Sequence, residues 1–375
     1  MARSSGNVHV LLAMLVPLCA ATAWTAAAAA AAAGPLLPLP DLQTTTRTMN
    51  ENDTTTGSLS ADFHALSCPD LHGIVRSAVQ AARGQDVQVT AGLLRIFFHD
   101  CFPQGCDASL LVDKTDPGSE QNVEPQNKGL NQRALQLIES IRDTVHKRCG
   151  ERSVSCADIL AVATSHAVNL AGGPFINMQL GHFDSVGPAQ PWQVQTLPAP
   201  NADVTTLLNT FAANGKGFDN PIEVVALSGA HTVGKARCSS FSDRTIRPNP
   251  NDNFAKELAQ FCGGDGNRQR NLDEITPDSF DNSYFLDLIR RKGVLTSDQG
   301  LANDGRTGWI VNVFANDQGN FFEKFAQAME KMSRLTSPGG VKARRNCLKR
   351  DAGVNLQTTV VAAGSGDDEG LAASA

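Results

Sequence analysis

The chain has 375 residues, 41% apolar and 19% charged, which is the balance of an ordinary folded protein and excludes disorder over its whole length. Its 32 Lys and Arg against 38 Asp and Glu leave a formal charge of -6, so it carries no basic footprint for nucleic acid. Aromatic residues are 6% and nearly all Phe, with 17 Phe, 3 Trp and one Tyr, Tyr284, which predicts an aliphatic and Phe-based core.

In chain order, Arg3 supplies a small positive region, and an uncharged stretch then runs from Val10 to Ala33 with small residues at its end. Residues 1–33 therefore read as a secretory signal peptide. The alternative is a membrane anchor, because the 24 uncharged residues could just span roughly 30 Å of hydrocarbon. Pro17 and the weakly apolar Ala run favour cleavage, so a membrane is a partner only if the segment is retained. Residues 34–58, rich in Pro, Thr, Asn and Asp, form a flexible lead-in with an Asn52-Asp53-Thr54 glycosylation acceptor. Residues 348–375 read as a disordered tail or a sorting propeptide.

Of nine cysteines, Cys19 falls in the signal peptide. The remaining even set, Cys68, Cys101, Cys106, Cys149, Cys156, Cys238, Cys262 and Cys347, predicts four disulfides in an exported protein. Only Cys101 with Cys106 is suggested by proximity.

Between Leu59 and Cys347 apolar residues recur at helical spacing. Helices are expected over Leu71 to Ala82, Val89 to Cys101, Asn131 to Lys147, Ser155 to Ala171, Asn201 to Ala213, Pro221 to Leu227, Asn253 to Phe261, Ser283 to Lys292 and Thr307 to Leu335. Ser155 and Asp203 are plausible helix starts. Gly172-Gly173-Pro174, Leu197-Pro198-Ala199-Pro200 and Ser297-Asp298-Gln299-Gly300 read as loops. Alternating strand patterns are rare, so residues 59–347 read as one large all-α domain, as a single body or in two halves.

Three segments carry chemistry. On a helix Arg95 and His99 share a face with Phe98 beside them, and a base with a permanent cation suits proton removal from one oxygen while charge develops on its neighbour. A surface ion pair with Asp100 is the plainer alternative. Asp100, Gly105, Asp107 and Ser109 follow in a loop closed by Cys101 and Cys106. They are hard oxygen donors suited to calcium, though an Asp-rich turn can be only a turn and the spacing is not that of an EF-hand. In the third segment, Val225 to Gly234, His231 ends an apolar stretch among residues small enough for a flat body to approach its ring. It reads either as a ligand to metal or haem iron or as a satisfied core histidine. Asp298 is placed to accept its other ring hydrogen.

These residues resemble the secretory plant peroxidases, the class III haem peroxidases, over the entire span from Leu59 to Cys347. Arg95 through Ser109 is similar to the family's distal motif, and Ser155-Cys156-Ala157-Asp158-Ile159-Leu160 to its internal helix. Leu227-Ser228-Gly229-Ala230-His231-Thr232 is similar to the proximal motif, and Phe280-Asp281-Asn282 to the second calcium loop. The resemblance implies one haem b sandwiched between distal and proximal helical halves. His99 would take a proton from hydrogen peroxide and return it to the departing oxygen, with Arg95 stabilising the developing charge. His231 would ligate iron, tuned by Asp298, and Phe98 completes the cofactor-binding set. Single electrons would come from small phenolic donors at the haem edge near Pro198.

Two calcium ions are implied as well. The distal one would use Asp100, Asp107 and Ser109 with the carbonyls of Pro103 and Gly105. The proximal one would use Thr232, Asp273, Thr276 and Asp281 with the carbonyl of Ser279. The implied disulfides are Cys68 to Cys149, Cys101 to Cys106, Cys156 to Cys347 and Cys238 to Cys262. A secreted monomer, extracellular, in the cell wall or in the vacuole, with roles in wall phenolic or lignin metabolism and oxidative stress, completes the expectation. A second reading is a haem-free or weakly active wall protein that keeps the fold for binding. A zinc or cysteine-protease role for His99 with Cys101 is disfavoured, because an exported Cys five residues from another suits a disulfide.

Some positions depart from the family pattern. Pro103 and Gln104 replace Val-Asn in the distal loop, where Pro still offers its carbonyl. The Asn that bonds the distal His falls on Gln126 counting forward from Glu120 and on Asn127 counting back from Ala134-Leu135; Asn127 with one inserted residue upstream is preferred. Gly181-His182-Phe183-Asp184 replaces Gly-Arg-Arg-Asp, removing an Arg that the family pairs with Asp158. Asp158 is then expected either to find another donor, His182 being the nearest in sequence, or to stay protonated with a raised pKa. In the second case Phe183→Arg should restore stability.

Overall fold

The computed structural model describes residues 58–351. The expected signal peptide, nearly all of the expected lead-in with Asn52, and residues 352–375 lie outside the described residues. The described chain is all-α apart from one short ribbon. In order the helices are α1 (Leu71–Gln85), α2 (Val89–Gln104), α3 (Gln132–Cys149), α4 (Cys156–Leu170), α5 (Pro191–Val194), α6 (Val204–Ala212) and α7 (Pro221–Ser228). They continue with α8 (Ser242–Thr245), α9 (Asn253–Cys262), α10 (Ser283–Ile289), α11 (Thr296–Asn303), α12 (Gly308–Asn316) and α13 (Gln318–Met332). Strands β1 (Lys235–Arg237) and β2 (Gln269–Asn271) pair antiparallel, Lys235 opposite Asn271.

α4 is the axis of one group of helices. Every residue from Cys156 to Val168 is buried, so it reads as apolar all round, and α1, α2 and α3 cover it. Ser155 starts it by accepting the Asp158 amide at 3.1 Å. The second group is α7, α10, α12 and α13, packed through Phe285, Phe314, Phe321 and Phe325 with Phe280 stacked on Phe321 at 5.8 Å. Each fully buried Phe contributes roughly 1.5–3 kcal/mol, so this cluster holds the group together. Four disulfides, Cys68–Cys149, Cys101–Cys106, Cys156–Cys347 and Cys238–Cys262, join the segments in the pairing that the resemblance implies. Among the described residues no helix is long and apolar enough to cross a membrane.

The structure corrects several local expectations. The long helix expected over Thr307 to Leu335 is two, because Asp317 turns extended and caps α13 by accepting the Asn320 amide at 2.9 Å. The expected loop at Ser297 to Gly300 is instead the start of α11, where Asp298 accepts the Leu295 amide at 3.4 Å. α2 runs through Pro103 to Gln104, although Pro103 has no amide hydrogen to give the His99 carbonyl one turn back, and Gly105 at φ 111° ends it. Residues 348–351 are held: Leu348 accepts the Asp113 amide at 2.9 Å, and Arg350 pairs with Asp116 at 2.8 Å.

The protonated-acid expectation for Asp158 is also overturned. Its buried carboxylate accepts from His64 Nε2 at 2.7 Å, from His182 Nδ1 at 3.0 Å and from the amides of Gly181 and His182. Burial alone would raise its pKa, but the bonds and charges of His182 and His64 outweigh it and hold the group down to about 2. His182 takes the place expected of it, and His64 is an unforeseen second donor. Phe183 is 46% exposed and is not among the groups that hold Asp158.

Candidate functional site

The distal side is built on α2. Arg95 and His99 stand one turn apart, and both keep accessible side chains on a helix that is otherwise largely buried. Arg95 donates to the carbonyls of Gln126 at 2.9 Å and Lys128 at 3.2 Å, so backbone and not a carboxylate orients its charge. His99 Nδ1 lies 2.8 Å from Asn127 Oδ1, and Asn127 Nδ2 donates to the Glu120 carbonyl at 2.8 Å. That second bond sets the amide: Oδ1 faces the ring, Nδ1 carries the hydrogen and Nε2 keeps a free lone pair. Burial, with the Arg95 charge beside it, pushes the His99 pKa down to about 3. Of the two residues left open by counting, Asn127 touches the ring through its side chain, while Gln126 lends only its carbonyl to Arg95.

The proximal side follows α7. Gly229 has no room for a side chain, since a Cβ would stand 2.4 Å from the Phe321 ring, and this close packing leads the turn into His231. His231 Nδ1 lies 2.8 Å from Asp298 Oδ1, which also accepts the Tyr284 hydroxyl at 2.9 Å. Burial lowers the His231 pKa, but the charge and hydrogen bond of Asp298 outweigh it and the net shift is upward. With Nδ1 spent on the carboxylate, Nε2 is again the free atom. The Arg95 charge lowers the pKa of both imidazoles, so both rings lie within its reach. His231 keeps 37% of its side chain exposed, so it is not a packed core residue. These residue types suit a flat group with one metal coordination position: two imidazoles each with a free nitrogen, a cation and the half-buried Phe98, which stacks on Phe102 at 4.9 Å.

The two oxygen clusters differ in detail. At the end of α2, Asp100 accepts the amides of Asp107, Ala108 and Leu110, while Asp107 accepts the Ser109 amide at 3.0 Å and the Gln104 side-chain amide at 2.7 Å. Both carboxyls are fully buried, and burial, with mutual repulsion at Asp100, raises their pKa values. A buried pair of this kind calls for a cation, so the donor set suits calcium. Gly105 places its backbone against Thr336, where a Cβ would meet the Thr336 carbonyl carbon at 2.3 Å, and Pro103 is buried beside it. Next to His231, Thr232 Oγ1 donates to Asp273 at 2.9 Å, and Thr276 Oγ1 donates to Asp281 at 2.9 Å, with the Ser279 backbone in the same turn. Burial raises Asp273, and Asp281 adds to the shift. Pro198 lies in a loop tied to the proximal side, because Pro200 accepts the Ser297 amide at 3.0 Å.

Two residues escaped the sequence reading. Tyr284 is fully buried on Asp298, and its isolation as the one Tyr among 17 Phe was the available signal. Glu120 is buried with Oε1 on the Ala189 amide and Oε2 without a partner, and burial raises its pKa to about 7. Nothing in its local sequence marks it.

Comparison with known proteins gives the same direction. A family model described as Peroxidase matches residues 75–317. The chain is 43% identical over 301 residues to cationic peroxidase SPC4 of Sorghum bicolor, covering 78% of this chain and 82% of that one. It is 41% identical over 293 residues to peroxidase 47 of Arabidopsis thaliana, covering 77% and 88%. It is 42% identical over 295 residues to peroxidase 66 of Zea mays, covering 78% and 90%.

Proposed function

This chain belongs to the plant peroxidase family and is a peroxidase, and on that premise we propose that His99 and His231 flank a haem b whose peroxide chemistry His99 and Arg95 drive. The observation that carries the reading is two imidazoles under the influence of the same Arg95 charge, each with Nδ1 tied and Nε2 free, one on a neutral amide and one on a carboxylate. His231 Nε2 would hold the iron, with Asp298 fixing its ring and Phe98 lining the cofactor. When bound, haem supplies the redox-active iron that takes the oxidising equivalents of peroxide.

The chain's own residues manage the proton. His99, held neutral at any pH well above about 3, takes a proton from hydrogen peroxide at Nε2 and returns it to the leaving oxygen, so that water departs. Arg95, fixed by the Gln126 and Lys128 carbonyls, offsets the negative charge that develops on the separating oxygens. Asn127 keeps His99 in the tautomer that leaves Nε2 basic. The reducing partners are phenolic donors oxidised one electron at a time near Pro198, in a secreted protein of the wall or vacuole with two bound calcium ions. Family membership and the two buried carboxylate clusters support these points.

His99→Ala tests the central claim. It should retain the haem absorption band yet consume peroxide about 10² or more times slower in rapid mixing, the scale of a lost acid-base group. An unchanged rate would remove His99 from the mechanism.

A further inference from the structure

A second pair of histidines lies outside this site. His72 on α1 and His166 on α4 bring Nδ1 and Nε2 to 3.3 Å, with ring centroids 5.4 Å apart and planes at 81°. Phe175 leans on both rings at 6.2 Å and 5.8 Å. His72 is exposed and His166 is 5% exposed, so the contact reaches solvent through His72. We propose that His72 Nδ1 and His166 Nε2 form a two-imidazole site for a borderline transition-metal ion, Zn2+ or Cu2+, that clamps α1 to α4.

The argument is geometric and chemical. With metal–nitrogen bonds of about 2.0–2.1 Å, two ligands on one tetrahedral ion stand roughly 3.3 Å apart, the separation already present. Imidazole nitrogen selects zinc and copper over calcium, which prefers oxygen. Ligands must be neutral, and burial, with its effect on His166 reinforced by the His72 and Arg76 charges, lowers both pKa values, that of His166 to about 4. The charged groups nearby are Asp62, whose charge favours a cation at His72, and Arg76, whose charge opposes it at His166. His166 Nδ1 is buried with no acceptor behind it, so the site lacks the outer support that strengthens a histidine ligand. Among the described residues no third His, Cys, Asp or Glu completes a set, so water fills the remaining positions.

The test uses calcium-saturated holoenzyme. Calorimetric titration with Zn2+ should show one saturable site that raises the melting temperature and persists at pH 6, where ordinary surface histidines of pKa about 6.5 would be mostly protonated. Electron paramagnetic resonance with Cu2+ should report two nitrogen ligands. His72→Ala, at an exposed position, should weaken binding about tenfold or more and leave one nitrogen. His166→Ala should do the same if it folds, but the exposed variant decides the matter. No saturable binding, or binding unchanged in His72→Ala, would reduce the pair to a hydrogen bond between rings and leave the peroxidase assignment untouched.

Discussion

His99 and His231 are held alike and driven apart. Each turns Nδ1 inward to an oxygen 2.8 Å away and leaves Nε2 free, but the oxygen is an amide on the distal side and a carboxylate on the proximal side. Both rings are desolvated and both feel Arg95, so burial does not separate them. The partner's charge does. Beside Asn127 nothing opposes burial strongly and the ring stays neutral, ready to accept a proton; beside Asp298 the ring becomes more basic, a better donor to a metal.

Exchanging the partners breaks the comparison. Asn127→Asp should raise the His99 pKa by about one to three units, the reach of an adjacent opposite charge. Because the protonated ring cannot accept, peroxide turnover should begin to fail at a correspondingly higher pH on the acid side. An acid limb that stays in place would show that the amide is only a spacer.

The reverse exchange, Asp298→Asn, should lower the His231 pKa and shift the haem absorption spectrum. It also takes a charged acceptor from the Tyr284 hydroxyl, which should cost about 1.5–3 kcal/mol in denaturant unfolding. A spectrum identical to the parent's would separate Asp298 from the metal position.

Asp158 sharpens the same point from the carboxylate's side. With its folded pKa near 2 and an unfolded value near 4, it contributes ~2 kcal/mol of stability that is fully present above about pH 4 and lost as pH falls through about 2. Asp158→Asn should therefore lower the melting temperature at pH 5 to 7, with the gap closing below about pH 4. A gap independent of pH would mean that the carboxylate's charge contributes nothing.

Most of the proposed site could be read from the sequence because its parts lie close together in the chain. Arg95 and His99 are a helical turn apart, and Asp100 to Ser109 form one short loop, so periodicity and composition expose them. Helix positions followed from apolar spacing for the same reason. What failed was local competition: Asp317 looks like one more polar residue in a periodic run until its side chain caps α13, and Asp298 looks like a turn residue until it starts α11.

The sequence by itself determined the all-helical class, the even cysteine set and the residue types able to move a proton or hold a metal. Only the tertiary structure decided how they meet. It chose Asn127 over Gln126, put Tyr284 on Asp298, and gave Asp158 the His64 ring from 94 residues away. A buried charge is satisfied by whichever donor the packed chain brings within about 3 Å, and sequence separation does not enter that distance.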